Sequence, residues 1–269
     1  GPACGRGERG VVALVPPAAD LLADPYVARV VAAASRTADT QGVGVALRWL
    51  GRDPREELRR LARDPGVGGV LLVDYSADVL ASVPRELVPR VAAIGPADGR
   101  VPSYDVDAAA GIAALVEHVL ADGRRDVVVL TGPGWLPGSR RAVEAYESVV
   151  RAAGRPTRVV AADLSWLAGA EAAREARRRW PGVDALVAMS DTLAVGAMRA
   201  LAEDGVRVPD DVAVTGFDDQ PFAEQAGPGL TTATHPVERI AAAATAALLG
   251  RRHDDERTFP SVVVRRTSA

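Results

Sequence analysis

Asp218 and Asp219 stand side by side directly behind an apolar run, Val212–Gly216, and no other carboxylates in the chain are presented this way. Neighbouring carboxylates can move protons, or they can accept hydrogen bonds from hydroxyl groups. The other Asp pairs fall elsewhere, Asp210–Asp211 in a turn behind Pro209 and Asp254–Asp255 in a charged loop, where solvated charge explains them. Proton chemistry would need a partner, and none is visible. There is no G-x-S-x-G elbow, and no G-x-G-x-x-G follows the first apolar run, which ends in Val15–Pro16–Pro17. His118, His235 and His253 are far from one another and from Cys4, so zinc-ligand spacing is absent. The chain has no Lys, which excludes a Walker phosphate loop and a Schiff-base lysine. We therefore expect no catalytic residue, no metal and no cofactor, and the chain is not expected to be an enzyme. Asp218 is expected to bind a polar ligand by hydrogen bonding.

The elements that position this pair are legible from Val183 to Asp219. Ala185–Met189 is an unbroken apolar run. Ser190 and Asp191 follow with a side-chain acceptor and a negative charge suited to the first turn of a helix. Leu193, Ala194, Ala197, Met198 and Leu201 share one helical face, and Gly205 suits a left-handed C-terminal cap. Pro209–Asp211 turns the chain into Val212–Gly216, so that Phe217, Asp218 and Asp219 emerge at the carboxyl end of a strand. In open parallel α/β sheets ligands bind at that edge.

The same alternation runs through the chain. Strands are expected at Val11–Val15, Val43–Leu47, Gly69–Val73, Arg90–Ile94, Val127–Thr131, Thr157–Val160, Ala185–Met189, Val212–Gly216 and Val262–Arg265. Helices are expected at Pro25–Asp39, Arg55–Arg63, Ala108–Ala121, Ser139–Ala153, Ala168–Trp180, Ser190–Asp204 and Pro236–Leu249. This predicts an α/β fold of two doubly wound parallel-sheet subdomains joined by crossovers, with a cleft between them. With 269 residues, 48% of them hydrophobic, a sizeable core is affordable. No run approaches the ~18–20 apolar residues of a membrane span, and GPACGRGERG lacks the apolar core of a secretory signal, so a cytoplasmic location is expected. Cys4 is the single cysteine, which excludes an internal disulfide. The 32 basic residues, all Arg, against 35 acidic ones give a net charge of −3, so no overall basic field attracts nucleic acid.

The stretch SDTLAVGAMRALAEDGVRVPDDVAVTGFDD, followed by LTTATHPVERIAAAATAALLG, resembles the LacI/GalR family of bacterial transcription regulators, in the effector-binding core behind their DNA-binding headpiece. Weaker matches follow in order: GVVALVP, DPYVARVVAAA, VGGVLLV, DVDAAAGIAALVEHVLADGRRDVVVLTGP and VVVRR. Together they cover roughly residues 10 to 266. The resemblance implies a type I periplasmic-binding-protein-like fold, with residues 10–106 plus 237–258 as one subdomain and 107–236 plus 259–269 as the other. It implies no chemical step, only a small polar effector, a sugar or related metabolite, bound in the cleft.

Carried over by position, the resemblance makes Asp218 the carboxylate for ligand hydroxyls, Tyr26 a stacking aromatic, His235 a polar cleft residue, and Ser190 the counterpart of a frequent Asn. Ser190 is equally readable as an N-cap. The family's effector-binding Arg falls on Ala142, so Arg141 is the nearest candidate, and an exposed helical Arg is the alternative. The frequent Asp after the fourth strand is replaced by Gly95. Trp49 and Arg52 after the second strand, and Trp166 in the loop before a helix, complete the candidate walls, with exposed-loop packing as their alternative.

The expected function is ligand sensing for transcription control, in which a sugar-like effector changes operator affinity. The alternative is the solute-binding receptor of a sugar transporter, which shares the fold. Family members read operator DNA with a helix-turn-helix headpiece, which is expected to be missing from this chain, where about ten residues lead into the first strand. Operator contact is thus expected only through that missing part. A side-by-side homodimer is expected, joined by apolar helical faces around Val27–Ala34 or Val195–Leu201.

Overall fold

A computed structural model describes residues 11–16, 24–51, 53–95, 100–250 and 257–269. Arg52, Cys4, His253 and the Asp254–Asp255 pair lie outside the described residues. The chain divides into two units, Gly1–Asp105 with Val237–Phe259, and Val106–Pro236 with Pro260–Ala269.

In the first unit, the apolar runs β1 (Val11–Val15), β2 (Val45–Leu47), β3 (Val67–Val73) and β4 (Val91–Ile94) pair in parallel, and β5 (Ser103–Val106) and β11 (Thr258–Phe259) extend the sheet in the order β11-β5-β4-β3-β1-β2. Its helices are α1 (Pro25–Asp39), α2 (Pro54–Arg63), α3 (Ala77–Ala81) and α8 (Val237–Leu248). Asp24 caps α1 by accepting the Tyr26 N–H at 2.7 Å, and Asp53 caps α2 through Glu56 N–H at 3.1 Å. Helix α8 packs on α1, where Arg29 donates both Nε and Nη2 to Glu238 at 2.8 Å. Two short strands, β5 and the two-residue β11, and one short helix escape the sequence pattern for physical reasons. Ser103 and Asp105 interrupt the apolar character of β5, and five residues of α3 are too few to show a helical period.

The second unit holds β6 (Val127–Thr131), β7 (Val159–Ala161), β8 (Ala185–Ala188), β9 (Ala213–Asp218), β10 (Thr231–Thr234) and β12 (Val263–Val264), in the order β12-β10-β9-β8-β6-β7. Its helices are α4 (Ala108–Ala121), α5 (Pro137–Ala152), α6 (Trp166–Arg179) and α7 (Asp191–Glu203). From β6 the chain steps outward through α5 to β7, then back through α6 to β8. Right-handed crossovers in opposite directions put their helices on opposite faces, and accordingly α4 packs with α5 and α6 with α7. Covered on both sides, β6 and β8 are wholly buried and read as continuous apolar runs.

Three expectations need correction here. Strand β12 runs antiparallel to β10, because it reaches the sheet without a crossover helix in this unit. Trp166 is the first residue of α6 rather than a loop residue, because Ser165 caps the helix by accepting Ala168 N–H at 3.1 Å. Helix α5 begins at Pro137, two residues before the expected start at Ser139, since proline's fixed φ suits a first helical position.

Helices α6 and α7 touch backbone to backbone. A methyl group at Gly169 would overlap the Leu193 carbonyl, and one at Gly196 would overlap the Trp166 carbonyl. Glycine is required there by close approach. Gly196→Ala should therefore lower stability by about 1–3 kcal/mol despite alanine's better helix propensity. Urea denaturation checks this against Gly134→Ala, where nothing lies within 4 Å of the added carbon. A Gly196→Ala protein as stable as the parent would refute the contact.

Candidate functional site

Strand β9 carries its alternation two residues beyond the apolar run, to Asp218, because β10 pairs with it in register Thr231↔Thr215 through Thr234↔Asp218. His235 is the next residue after β10. Its side chain therefore lands beside Asp218, with Nδ1 2.9 Å from Asp218 Oδ1. In the tautomer that fits this contact, Nδ1–H donates to the carboxylate. The imidazole also meets the Phe217 ring edge-on at 5.8 Å between centroids. The pair is largely sheltered, with 12% of the His235 side chain and 14% of the Asp218 side chain exposed.

The turn that aims Asp218 is unusual. Asp218 has φ 109° and Asp219 φ 47°, both in the left-handed half of φ space that residues with a side chain avoid. Neighbouring groups hold it there. Asp219 Oδ1 accepts from Arg266 Nη2 at 3.0 Å, and its N–H donates to Thr232 Oγ1 at 3.4 Å. Asp191, in the first turn of α7, is fully buried, with one oxygen 2.6 Å from the Gln220 N–H nitrogen and the other 2.6 Å from Thr232 Oγ1. Gly216 makes room for it, since a side chain there would overlap Asp191 Oδ1. Burial, with the Asp218 charge next in size and Asp219 adding to it, pushes the Asp191 carboxyl up to about 8, against the opposing pull of the Thr232 and Gln220 hydrogen bonds.

Asp191, Thr232, Gly216 and Arg266 were not named as site residues from the sequence. A carboxylate in a helix's first turn looks like a partner for the helix dipole. The one clue was Gly216 itself, because glycine inside a strand often marks another group's close approach.

The other candidates are distributed over both units. In the second, Ser190 is buried and caps α7 by accepting Leu193 N–H at 3.2 Å. Arg141 is half-buried in the second turn of α5, next to the buried Ala142, while Arg140 is exposed near Glu144 at 3.6 Å. Trp166 is 50% exposed, with its ring 5.6 Å from that of Phe222. In the first unit, Tyr26 is half-buried in the opening turn of α1, and Trp49, 38% exposed, follows β2. Arg52 is outside the described residues. Thus the structure joins Asp218 and His235 directly, while Ser190 precedes the Asp191 that braces them. Among the described residues no group of three or more His, Cys, Asp or Glu side chains could hold a metal ion. No helix among them is long and apolar enough to cross a membrane.

Comparison with known proteins agrees over most of the chain. Residues 116–268 match the periplasmic binding protein-like domain. The chain is 31% identical over 267 residues to the HTH-type transcriptional regulator CelR of Thermobifida fusca, spanning 92% of this chain and 75% of that protein. The structure of a transcriptional regulator CelR–cellobiose complex superposes with a TM-score of 0.84 at 27% identity, over 96% of this chain and 84% of that one. The lac repressor dimer bound to operator and the anti-inducer ONPF shares the fold, with a TM-score of 0.84 at 22% identity over 97% of this chain and 95% of that one. Two doubly wound units, a carboxylate at the carboxyl edge of β9, and relatives of this kind converge on one conclusion: the chain belongs to the LacI family of transcriptional regulators and forms their effector-binding core.

Proposed function

We propose that this core senses a sugar, held at the carboxyl edge of the second unit's sheet by the Asp218 carboxylate. The observation that carries the proposal is the Asp218–His235 pair, fixed at 2.9 Å and mostly withdrawn from water. A desolvated carboxylate accepts strongly from neutral hydroxyls. His235, donating from Nδ1, orients it and offers Nε2 as an acceptor to a second hydroxyl. Ser190 can still donate its hydroxyl proton while it caps α7. Arg141 adds a donor. The cellobiose bound to CelR supports a sugar as the ligand.

Ligand binding alone does the work in this reading, and no bond is made or broken. The effector favours one arrangement of the core, and that preference alters operator affinity. Operator DNA would be contacted by a helix-turn-helix segment outside the described residues, and the regulator would act in the cytoplasm. The relatives are regulators, which sets the transport receptor aside.

We further propose that the core works as a homodimer. The apolar faces first considered for this are used inside each chain. Val27, Val30, Ala33 and Ala34 are buried, as are Ala197, Met198 and Leu201. Among the exposed large apolar side chains of the second unit is Leu167, 69% exposed, beside half-exposed Trp166 and its neighbour Phe222. We place Trp166 on this subunit-facing surface.

Two outcomes are expected. With cellobiose as probe, calorimetry on Asp218→Ala should show a loss of about 1.5–3 kcal/mol, roughly ten- to a hundredfold in Kd, and Asp219→Ala a smaller one. Equal losses would overturn the assignment of Asp218. Light scattering should give twice the 28.0 kDa chain mass, and Leu167→Glu should return it to 28.0 kDa. A dimer indifferent to Leu167→Glu would place the subunit contact elsewhere.

A further inference from the structure

We propose that Asp191 is a positioning residue, whose buried carboxyl group clamps the Asp218–Asp219 turn for the effector and makes effector affinity fall in alkaline solution. This rests on the reading of Asp218 as the effector's carboxylate.

The geometry supplies the clamp. The turn crosses two left-handed residues, and the first backbone N–H beyond them, that of Gln220, lies 2.6 Å from Asp191 Oδ2. The other oxygen, Oδ1, reaches the Thr232 hydroxyl on β10 at 2.6 Å, and that hydroxyl accepts the Asp219 N–H. One carboxyl group thus ties the start of α7 to the turn and to the neighbouring strand. Gly216 leaves the space it fills.

The charges supply the pH response. Asp191 faces Asp218 and Asp219 from the end of β9. His235 donates to Asp218 and Arg266 is paired with Asp219, and neither partner bonds Asp191. At neutral pH Asp191 holds its proton, since its carboxyl is pushed up to about 8, while its oxygens accept from the Thr232 hydroxyl and the Gln220 N–H. Above that pH a third negative charge is forced into the same dry corner. A neutral sugar that displaces water from Asp218 strengthens the repulsion, so binding favours the protonated form and weakens as pH rises. For stability the sign is the same. A carboxyl raised from 3.8 contributes fully below pH 3.8 and loses that contribution as pH climbs to about 8.

Asp191→Asn imitates the protonated acid, with one donor and one acceptor, whereas Asp191→Ala removes the clamp. The ligand-free test is hydrogen exchange at the Gln220 amide. Protection should be retained in Asp191→Asn and drop by about tenfold or more in Asp191→Ala, as expected for a freed buried N–H. Carboxyl-carbon NMR should show Asp191 titrating near 8, and Asp191→Asn should gain in Tm over the parent as pH rises from 4 to 8. With cellobiose, the parent's affinity should fall about sevenfold between pH 7 and 9.5 for a one-unit rise in the Asp191 pKa on binding, and Asp191→Asn should stay level.

Equal Gln220 protection in all three proteins, or ordinary acidic titration of Asp191, overturns the proposal. So do parallel affinity profiles for parent and Asp191→Asn. If Asp191→Ala does not fold, the Asp191→Asn comparison and the carboxyl titration still decide. Failure of the effector reading looks different: Asp218→Ala would bind cellobiose as tightly as the parent while the ligand-free measurements behaved as described.

Discussion

Taking the Asp191 carboxyl group out of water is the constraint to which the rest of the site answers. An unpaired charge in that position would be intolerable, so the surrounding chain provides a backbone N–H, a threonine hydroxyl and a proton. The N–H and the hydroxyl come from different elements. Strand β9 must carry glycine at 216, β10 must carry threonine at 232, and the chain must turn through two left-handed aspartates to bring Gln220 back. The orientation of Asp218 follows from those requirements.

The α6–α7 contact has the same character on a larger scale. Gly169 and Gly196 allow two helices to meet at their backbones, which fixes the depth at which α7 sits and hence where its first turn delivers Asp191. A ridge of larger side chains would hold helices about 8–10 Å apart and leave that placement softer. The aromatic pair Trp166–Phe222 lies over the same junction, so one closely packed corner joins the start of α6, the body of α7 and the loop after β9.

Much of this was readable before any coordinates. Apolar runs of four or five residues bounded by Gly, Pro and Asp mark β1, β6, β8 and β9. Ser190 and Gly205 bracket α7 nearly to the residue. Asp218 and His235 were both recognisable, although their pairing was not, since it depends on the register of β9 against β10 rather than on spacing along the chain. Asp191 was read as a charge suited to a helix's first turn, and local rules make a carboxylate welcome there whether it is wet or dry. Its burial is decided by Gly216 and Thr232, far away in sequence. The antiparallel course of β12 was hidden for a similar reason: three consecutive valines do not reveal which way a strand runs.

The edge of the second unit's sheet has a consequence for how the protein is made. Ser268 is fully buried. Its hydroxyl donates to the Val214 carbonyl at 2.7 Å and accepts the Thr231 N–H at 2.7 Å, while its own backbone carbonyl receives the Val214 N–H at 2.8 Å. Strands β9 and β10 therefore wait for residues 260–269, and the first unit waits for α8 and β11 although most of it is synthesised early. During translation both sheets are unfinished at once, each with an apolar border open to association. Premature termination between β11 and Ser268 would yield a chain with its first unit able to close and its second still lacking the serine that pegs β9 to β10.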